Sequence, residues 1–312
     1  MPYVWTVPAE AEGERLDRWL VGQRPELSRA RIQTLIRGGS VQLDGRGAKP
    51  STRLTSGARV TFEIPPHPRA VVEPEPMDLA ILHEDDDIVV VNKPSGLVVH
   101  PAAGHERGTL VNGLLHERAL ASGHDPSRPG IVHRLDKATS GAIVVAKRER
   151  AHASLVEQFK ARSVGKTYVA LVHGVLADSE GRIDAPIGRH PKHAREQAVR
   201  ADGGKAALTD FRALRTFGDR TLVAAFPRTG RTHQIRVHLA AIGHPVVGDP
   251  LYGRSVNGET LMLHAWRLAL DHPATGERMA FTAALPPRFR SVVEAVEELE
   301  LTAWARPPEA SE

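Results

Sequence analysis

The sequence predicts a protein of mixed helices and strands, divided into a small N-terminal unit and a larger domain. Three observations carry that expectation. Apolar residues recur at helical spacing in Glu14–Leu20 and Arg29–Arg37, whereas short β-branched runs such as Ile88–Val91 and Ile143–Val145 read as buried strands. Pro65, Pro66, Pro68, Pro74 and Pro76 crowd residues 65–76, a composition that resists helix and central strand and favours an extended linker. The 312 residues are enough for two domains with a sizeable core.

Within residues 10–64, Glu14–Leu20 forms one helix. Ser28 caps a second from Arg29 to Arg37, ended by Gly38-Gly39. Ile32, Leu35 and Ile36 make its apolar face, and Arg29, Arg31 and Arg37 lie on the other. Val41-Gln42-Leu43, an Asp44-Gly45 hairpin turn and a strand from Arg59 to Ile64 follow. By themselves the three Arg read equally well as a phosphate-binding face or an ordinary solvated one.

Residues 77–302 form the larger domain. It opens with Leu79–Glu84, the turn Asp85-Asp86-Asp87 and the strand Ile88–Val91. The acidic triplet reads as a turn between strands rather than a metal site. Lys93-Pro94 ends that strand, and Gly108–Leu115 is a short helix. Arg148–Arg162 is an amphipathic helix with Leu155, Val156 and Phe159 inward. Lys166–Gly174 is a strand on which Lys166 and Tyr168 share a face, since strand side chains alternate.

Residues 181–206 are polar and basic, with Arg189 and Lys192 among their cations, and read as a long functional loop. Thr209–Phe217 and Thr221–Pro227 form a hairpin around Gly218-Asp219. Ile235, Leu239 and Ile242 share one face of a helix ended by Gly243, with His233 and Arg236 on an adjacent face. His233 and His238 do not align as two ligands on one helix face, so no metal is expected. A last helix, Phe289–Leu301, precedes a Pro- and Glu-rich tail at 303–312.

Bulk properties narrow the function. The chain has no cysteine, which excludes disulfides, thiolate zinc sites and cysteine nucleophiles and fits a reducing compartment. The opening Met1-Pro2-Tyr3-Val4-Trp5 lacks a basic region followed by an apolar run, so no signal peptide is expected. No apolar run approaches the ~20 residues of a membrane helix. The expectation is a soluble, cytoplasmic monomer. Net charge is +4 and the pI about 9.6. Arg supplies most of the cations, and its planar donor fork suits phosphate, so nucleic acid binding is permitted; clustering decides it.

The stretch that points to chemistry is Gly130–Lys147. Asp136 sits among His133, Arg134 and Lys137; turn residues Thr139, Ser140 and Gly141 follow, then the apolar run Ile143–Val145. A charged loop is thus mounted on the edge of a sheet. Neighbouring positive charge favours an ionised carboxylate, which suits a nucleophile, a general base or a cation partner. From charge spacing alone, a solvated surface salt bridge is the simpler reading. Tyr168 alone reads more simply as a core or cross-strand residue.

His133-Arg134-Leu135-Asp136-Lys137-x-Thr139-Ser140-Gly141 followed by an apolar strand resembles the signature of the RluA-type pseudouridine synthases, with Ala138 where relatives often carry Asp. Lys93-Pro94, Lys166-x-Tyr168, Asp184–Pro191, Gln234-Ile235-Arg236, Gly248–Gly253 and Leu263-His264-Ala265 resemble further blocks of that family, most closely the RluD type. Leu16-Asp17, Ser28-Arg29-Ala30, Gly39-x-Val41 and Gly57-x-x-Val60 resemble the RNA-binding domain of the ribosomal protein S-four type.

The resemblance implies an α+β fold: a central mixed, mostly antiparallel sheet with flanking helices and a cleft carrying Asp136, preceded by a small α/β RNA-binding domain. It implies an isomerase, without cofactor, that breaks the glycosidic bond of a uridine in RNA, rotates the uracil and rejoins it through carbon. By the same resemblance Asp136 is the catalytic carboxylate, Arg236 pairs with it, Tyr168 stacks on the base and assists proton removal, and Ile235 packs beneath. Arg134 then helps extrude the base, and Lys166 joins in substrate binding. Arg29, Arg31, Arg37, Arg189 and Lys192 would meet RNA. The partner expected is large-subunit ribosomal RNA or the assembling subunit. Two readings remain beside it: an RNA-binding assembly factor without chemistry, and a nucleosidase-like hydrolase that releases free uracil.

Overall fold

The structure, a computed structural model, describes residues 3–24, 27, 29–63, 72–102, 104–123, 125, 127–193, 195–253, 259–289 and 307. The Ser28 cap, the first part of the expected linker, the expected helix beyond Phe289 and most of the tail lie outside these residues. The chain separates into two compact units, Met1–Ala70 and Val71–Glu312.

The first unit contains β1 (Tyr3–Thr6), α1 (Leu16–Gln23), α2 (Arg29–Arg37), β2 (Val41–Leu43), β3 (Arg46–Gly47) and β4 (Arg59–Phe62). The strands form one antiparallel sheet in the order β1-β4-β2-β3. Asp44 and Gly45 join β2 to β3 with φ of 50° and 74°, the positive pair that a two-residue primed turn requires. Leu16, Leu20, Ile32, Ile36, Val41, Val60 and Phe62 form the core. Asp17 is buried on α1 yet accepts hydrogen bonds from Arg15, Arg29 and Gln33, so it fastens α1 to α2. A carboxylate removed from water is tolerated only when bonded in this way.

The second unit contains β5 (Ile81–Glu84), β6 (Ile88–Lys93), α3 (Leu110–Glu117), β7 (Ser140–Ala146), α4 (Glu149–Ala161), β8 (Gly165–His173) and β9 (Glu180–Asp184). It continues with β10 (Ile187–Arg189), β11 (Gln197–Val199), β12 (Leu208–Phe217), β13 (Arg220–Pro227), α5 (Gln234–Ala241), β14 (Leu263–Asp271) and β15 (Arg278–Thr282). A sheet runs β5-β6-β7-β14-β8-β13-β12-β9, with β15 added to β14. Its pairs are antiparallel except β7 with β14, which is parallel. This is the mixed, mostly antiparallel sheet expected. Asp85 closes the turn between β5 and β6 by accepting from the Asp87 and Ile88 amides, as the acidic triplet predicted.

The β7–β14 junction shapes the site. The two strands touch only at Ser140↔His264 and Gly141↔Ala265; β14 then leaves β7 and takes β15 as its neighbour. Gly141 has φ 119°, and a Cβ there would lie 2.2 Å from the Ala265 carbonyl oxygen, so only glycine closes the junction. Beyond it the edge of β7 is filled by the loop that precedes β7. Ile131 bridges Val145, and the Val144 amide donates to His133 Nε2 at 3.1 Å.

Three expectations are corrected. Residues 181–206 are not one long loop: three short strands interrupt them, β9 joining the main sheet on β12 and β10 and β11 forming a hairpin of their own. That hairpin is polar because it rests on the body through few apolar residues, chiefly Ile187, so the alternation that marks a strand is weak. Ile242 is 39% exposed, past the end of α5, whereas Ile235 and Leu239 are buried. On α4 Leu155 is buried and Phe159 packs against the core as expected, whereas Val156 is only half-buried and Ala151 and His152 complete the buried face.

Candidate active site

Asp136 lies on a loop held at both ends. On one side are the Ile131–Val145 bridge and the His133 imidazole, which also stacks on Phe159 with centroids 4.6 Å apart. Burial, then the charge of Lys166, push the His133 pKa down to about 3, so the ring is neutral and its Nε2 is free to accept. On the other side the Lys137 carbonyl accepts from the Gly96 amide at 2.8 Å and from Lys93 Nζ at 3.3 Å. Lys93 is fully buried and also donates to the carbonyls of Pro94 and Leu97, both at 2.8 Å. Burial lowers its pKa to about 7, against the opposing pull of Asp136. The Thr139 amide closes the turn onto the Asp136 carbonyl, and Leu135 is buried below.

Helix α5 supplies the counter-charge. Arg236 is 4% exposed and bidentate on Asp249, with Nε and Nη2 each 2.7 Å from a carboxylate oxygen. Its Nη1 donates to Asp136 Oδ2 at 3.3 Å. Asp249 is fully buried and also accepts from the Leu251 and Tyr252 amides. Burial would raise the Asp249 pKa, but Arg236 and those amides reverse the sign and lower it. His233 stands at the start of α5 in the left-handed region, φ 57°, with Nε2 3.9 Å from Asp136 Oδ2 and Nδ1 2.8 Å from the Tyr252 hydroxyl.

The cleft over these groups measures about 480 Å³ and is lined by Arg134, Asp136, Lys166, Tyr168, Ile235 and Arg236 among others. The structure therefore brings together all six residues assigned to catalysis and substrate from the sequence. Ile235 forms a buried apolar wall and Arg134 is exposed at the mouth. Burial, then Asp136, raise the pKa of Tyr168, whose phenol keeps its proton at neutral pH. Lys166 donates to the Thr229 carbonyl at 3.3 Å.

The residues assigned to RNA stand elsewhere. Arg189 and Lys192 are exposed on the β10–β11 hairpin. Arg37 is exposed on α2, while Arg29 donates through Nε and Nη2 to Asp17 and so has a structural duty as well. The Arg31 side chain lies outside the described residues. Both nitrogens of His238 are engaged, by Thr209 Oγ1 and the Ala185 carbonyl, which explains that buried histidine without a ligand. Sequence reasoning assigned no role to Asp249, Tyr252 or His133. The run Gly248–Gly253 was visible as a block, but nothing in it marked Asp249 as the partner of Arg236.

Comparison with known proteins agrees with this geometry. Residues 87–241 match the RNA pseudouridylate synthase family and residues 14–60 match the S4 domain. An uncharacterized RNA pseudouridine synthase of Bacillus subtilis (strain 168) is 45% identical over 93% of this chain and 96% of its own. Ribosomal large subunit pseudouridine synthase D of Pseudomonas aeruginosa is 45% identical over 91% of this chain and 92% of its own. Among solved structures, human RNA pseudouridylate synthase domain containing 1 superposes with a TM-score of 0.58 at 30% identity, covering 75% of this chain and 98% of that one. With the sheet, the cleft and these relatives in agreement, the chain belongs to the RluA family of RNA pseudouridine synthases and carries an S4 domain ahead of its synthase domain.

Proposed function

We propose that this enzyme isomerises specific uridines of large-subunit ribosomal RNA with Asp136 as its catalytic carboxylate. One observation carries the assignment: Asp136 is the only carboxylate among the described residues lining the cleft, and a buried, pre-oriented guanidinium reaches it. The target class rests on relatives named for the large ribosomal subunit and on the appended S4 domain.

The substrate uridine leaves its stack, at a cost of a few kcal/mol, and Arg134 at the mouth of the cleft offers replacement contacts. Tyr168 and Ile235 hold the uracil. The bond from the ribose carbon to the ring nitrogen breaks and one to a ring carbon forms; that carbon loses a proton and the freed nitrogen ends protonated. No atoms or electrons are gained, so the reaction calls for no cofactor. Asp136 acts at the sugar or at the ring while Arg236 fixes its orientation. The protonated Tyr168 favours stacking and hydrogen-bond donation over service as a base. Arg29, Arg31 and Arg37 in the first unit, and Arg189 and Lys192 on the hairpin, meet the RNA backbone. The protein works as a cytoplasmic monomer.

Asp136→Asn is the test, with the purified full-length protein and transcribed large-subunit ribosomal RNA. Binding should persist and pseudouridine should vanish. Substantial product from that variant would overturn the assignment. Free uracil released by the parent would instead indicate a hydrolase, and binding without any chemistry an assembly factor. Mapping pseudouridines in ribosomal RNA with and without the gene names the targets.

A further inference from the structure

A second concavity of about 340 Å³ adjoins the cleft, and Arg162, Lys166, Pro227 and Arg228 line both. Arg267 and Arg278 bring its cations to five among the described residues, and no carboxylate is among its described lining residues. Arg228 is paired with Asp210 at 2.7 Å and Arg278 with Asp271 at 3.1 Å. Arg162 and Arg267 make no ion pair among the described residues. The crowding of charge is felt at Lys166, where burial, then Arg162 and Arg228, push the pKa down to about 8.

The backbone adds a separate observation. Arg162 ends α4 in the left-handed region, φ 61° and ψ 25°, where glycine is the usual residue. A branched-off Cβ in that region is strained by about 1 kcal/mol or more. Here a long cation stands in a position that a residue without a side chain would fill more easily, and it lines the groove. The one aromatic residue among the described lining residues, Phe226, is 4% exposed, so that lining offers no open face on which to stack a base. Cations without a stacking surface select phosphate rather than sequence.

We propose that this groove binds backbone phosphates of the RNA strand flanking the uridine in the cleft, with Arg162 and Arg267 as its principal contacts. The proposal rests on the reading of the cleft as a uridine site. Binding there is electrostatic and sequence-independent, and it extends the grip on the strand beyond the flipped nucleotide.

The experiment measures affinity of the full-length Asp136→Asn protein for transcribed large-subunit ribosomal RNA across a series of KCl concentrations, with Arg162→Gly and Arg267→Gln added singly. Arg162→Gly removes the cation and relieves the backbone at once, so its thermal stability should not fall. Each variant should bind severalfold more weakly at low salt, and the slope of log affinity against log salt should shrink by about 0.7 for each single-strand phosphate no longer neutralised. Unchanged affinity and slope in both folded variants would overturn the proposal. So would an equal loss in Arg148→Gln, a cation paired with Asp86 outside the groove. Failure of the underlying reading looks different: the parent enzyme would form no pseudouridine in that RNA.

Discussion

Arg236 reaches Asp136 through Nη1, the nitrogen that Asp249 does not engage, so the carboxylate in the cleft and a fully buried one share a single guanidinium. Asp249 carries the structural half of this arrangement. Breaking a buried pair strands a charge in the interior and typically costs 3–5 kcal/mol. Asp249→Asn should therefore destabilise the second unit by about that amount in chemical denaturation, whereas Asp136→Asn, at a half-buried carboxylate open to the cleft, should leave stability nearly unchanged. Equal effects of the two substitutions on stability would show that the load is not divided this way.

The neighbouring substitution Arg236→Lys separates charge from geometry. A lysine keeps the charge but has no rigid fork, so it cannot be bidentate on Asp249 while also reaching Asp136. A displacement of about 1 Å at a catalytic group can cost about 100-fold in rate. We expect a loss of that order in single-turnover pseudouridine formation by a folded enzyme. Parental rates in Arg236→Lys would mean that positive charge alone suffices.

How much of this was legible beforehand depends on how local each signal was. Asp136 stood out because the whole His133–Gly141 run resembles a family signature; its neighbouring cations alone fit a surface salt bridge as well. Strand alternation put Tyr168 and Lys166 on one face, but only the resemblance of Lys166-x-Tyr168 to a family block marked them as site residues. The Asp249–Arg236 pair was hidden, since a buried acid after a helix looks like any turn residue until the fold closes. The β10–β11 hairpin looks like a loop in the sequence because an exposed hairpin with little apolar contact carries scant alternation. Ile242 falls on the apolar face by spacing because the helical period continues past the residue where α5 ends.

Lys93 should make stability depend on pH in an unusual sense. Its folded pKa of about 7 is depressed from the ordinary value near 10.4, by burial first and by Arg288 after the opposing pull of Asp136. Between those two values the unfolded chain binds more protons than the folded one, so this group makes stability rise with pH across the window and adds no slope below or above it. Lys93→Met should flatten that rise. It should also strip three carbonyls of a donor, for an overall loss of at least about 2 kcal/mol. Stability profiles of the two proteins from neutral to alkaline pH that run parallel would contradict the depressed pKa.

Tyr252 ties the β10–β11 hairpin to α5. Its hydroxyl accepts from the Gln197 amide at 2.8 Å and meets His233 Nδ1, while its ring lies 5.1 Å from the Arg236 guanidinium. Tyr252→Phe keeps the ring and removes the acceptor. The loss of about 1 kcal/mol should speed hydrogen exchange at the Gln197 amide about fivefold and leave the amides of β8 and β13 unaffected. Exchange at Gln197 that does not change would show that the hairpin is held by Ile187 and its apolar neighbours alone.

Gly141→Ala tests the junction on which the site is mounted. The new Cβ would meet the Ala265 carbonyl oxygen at 2.2 Å, and the backbone would have to hold φ 119°, a value alanine avoids. The neighbour is backbone in the centre of the sheet, so it cannot swing aside as a side chain would. β7 and β14 must part where Ser140 bonds His264 Nδ1 at 2.7 Å, and the Asp136 loop, which begins and ends on β7, loses its frame. We expect little or no folded second unit, seen as loss of cooperative thermal unfolding, while Gly96→Ala, whose Cβ would meet nothing within 4 Å, should cost only the strain of its positive φ. A Gly141→Ala protein that unfolds cooperatively near the parental temperature would show that the two strands can separate without losing the sheet.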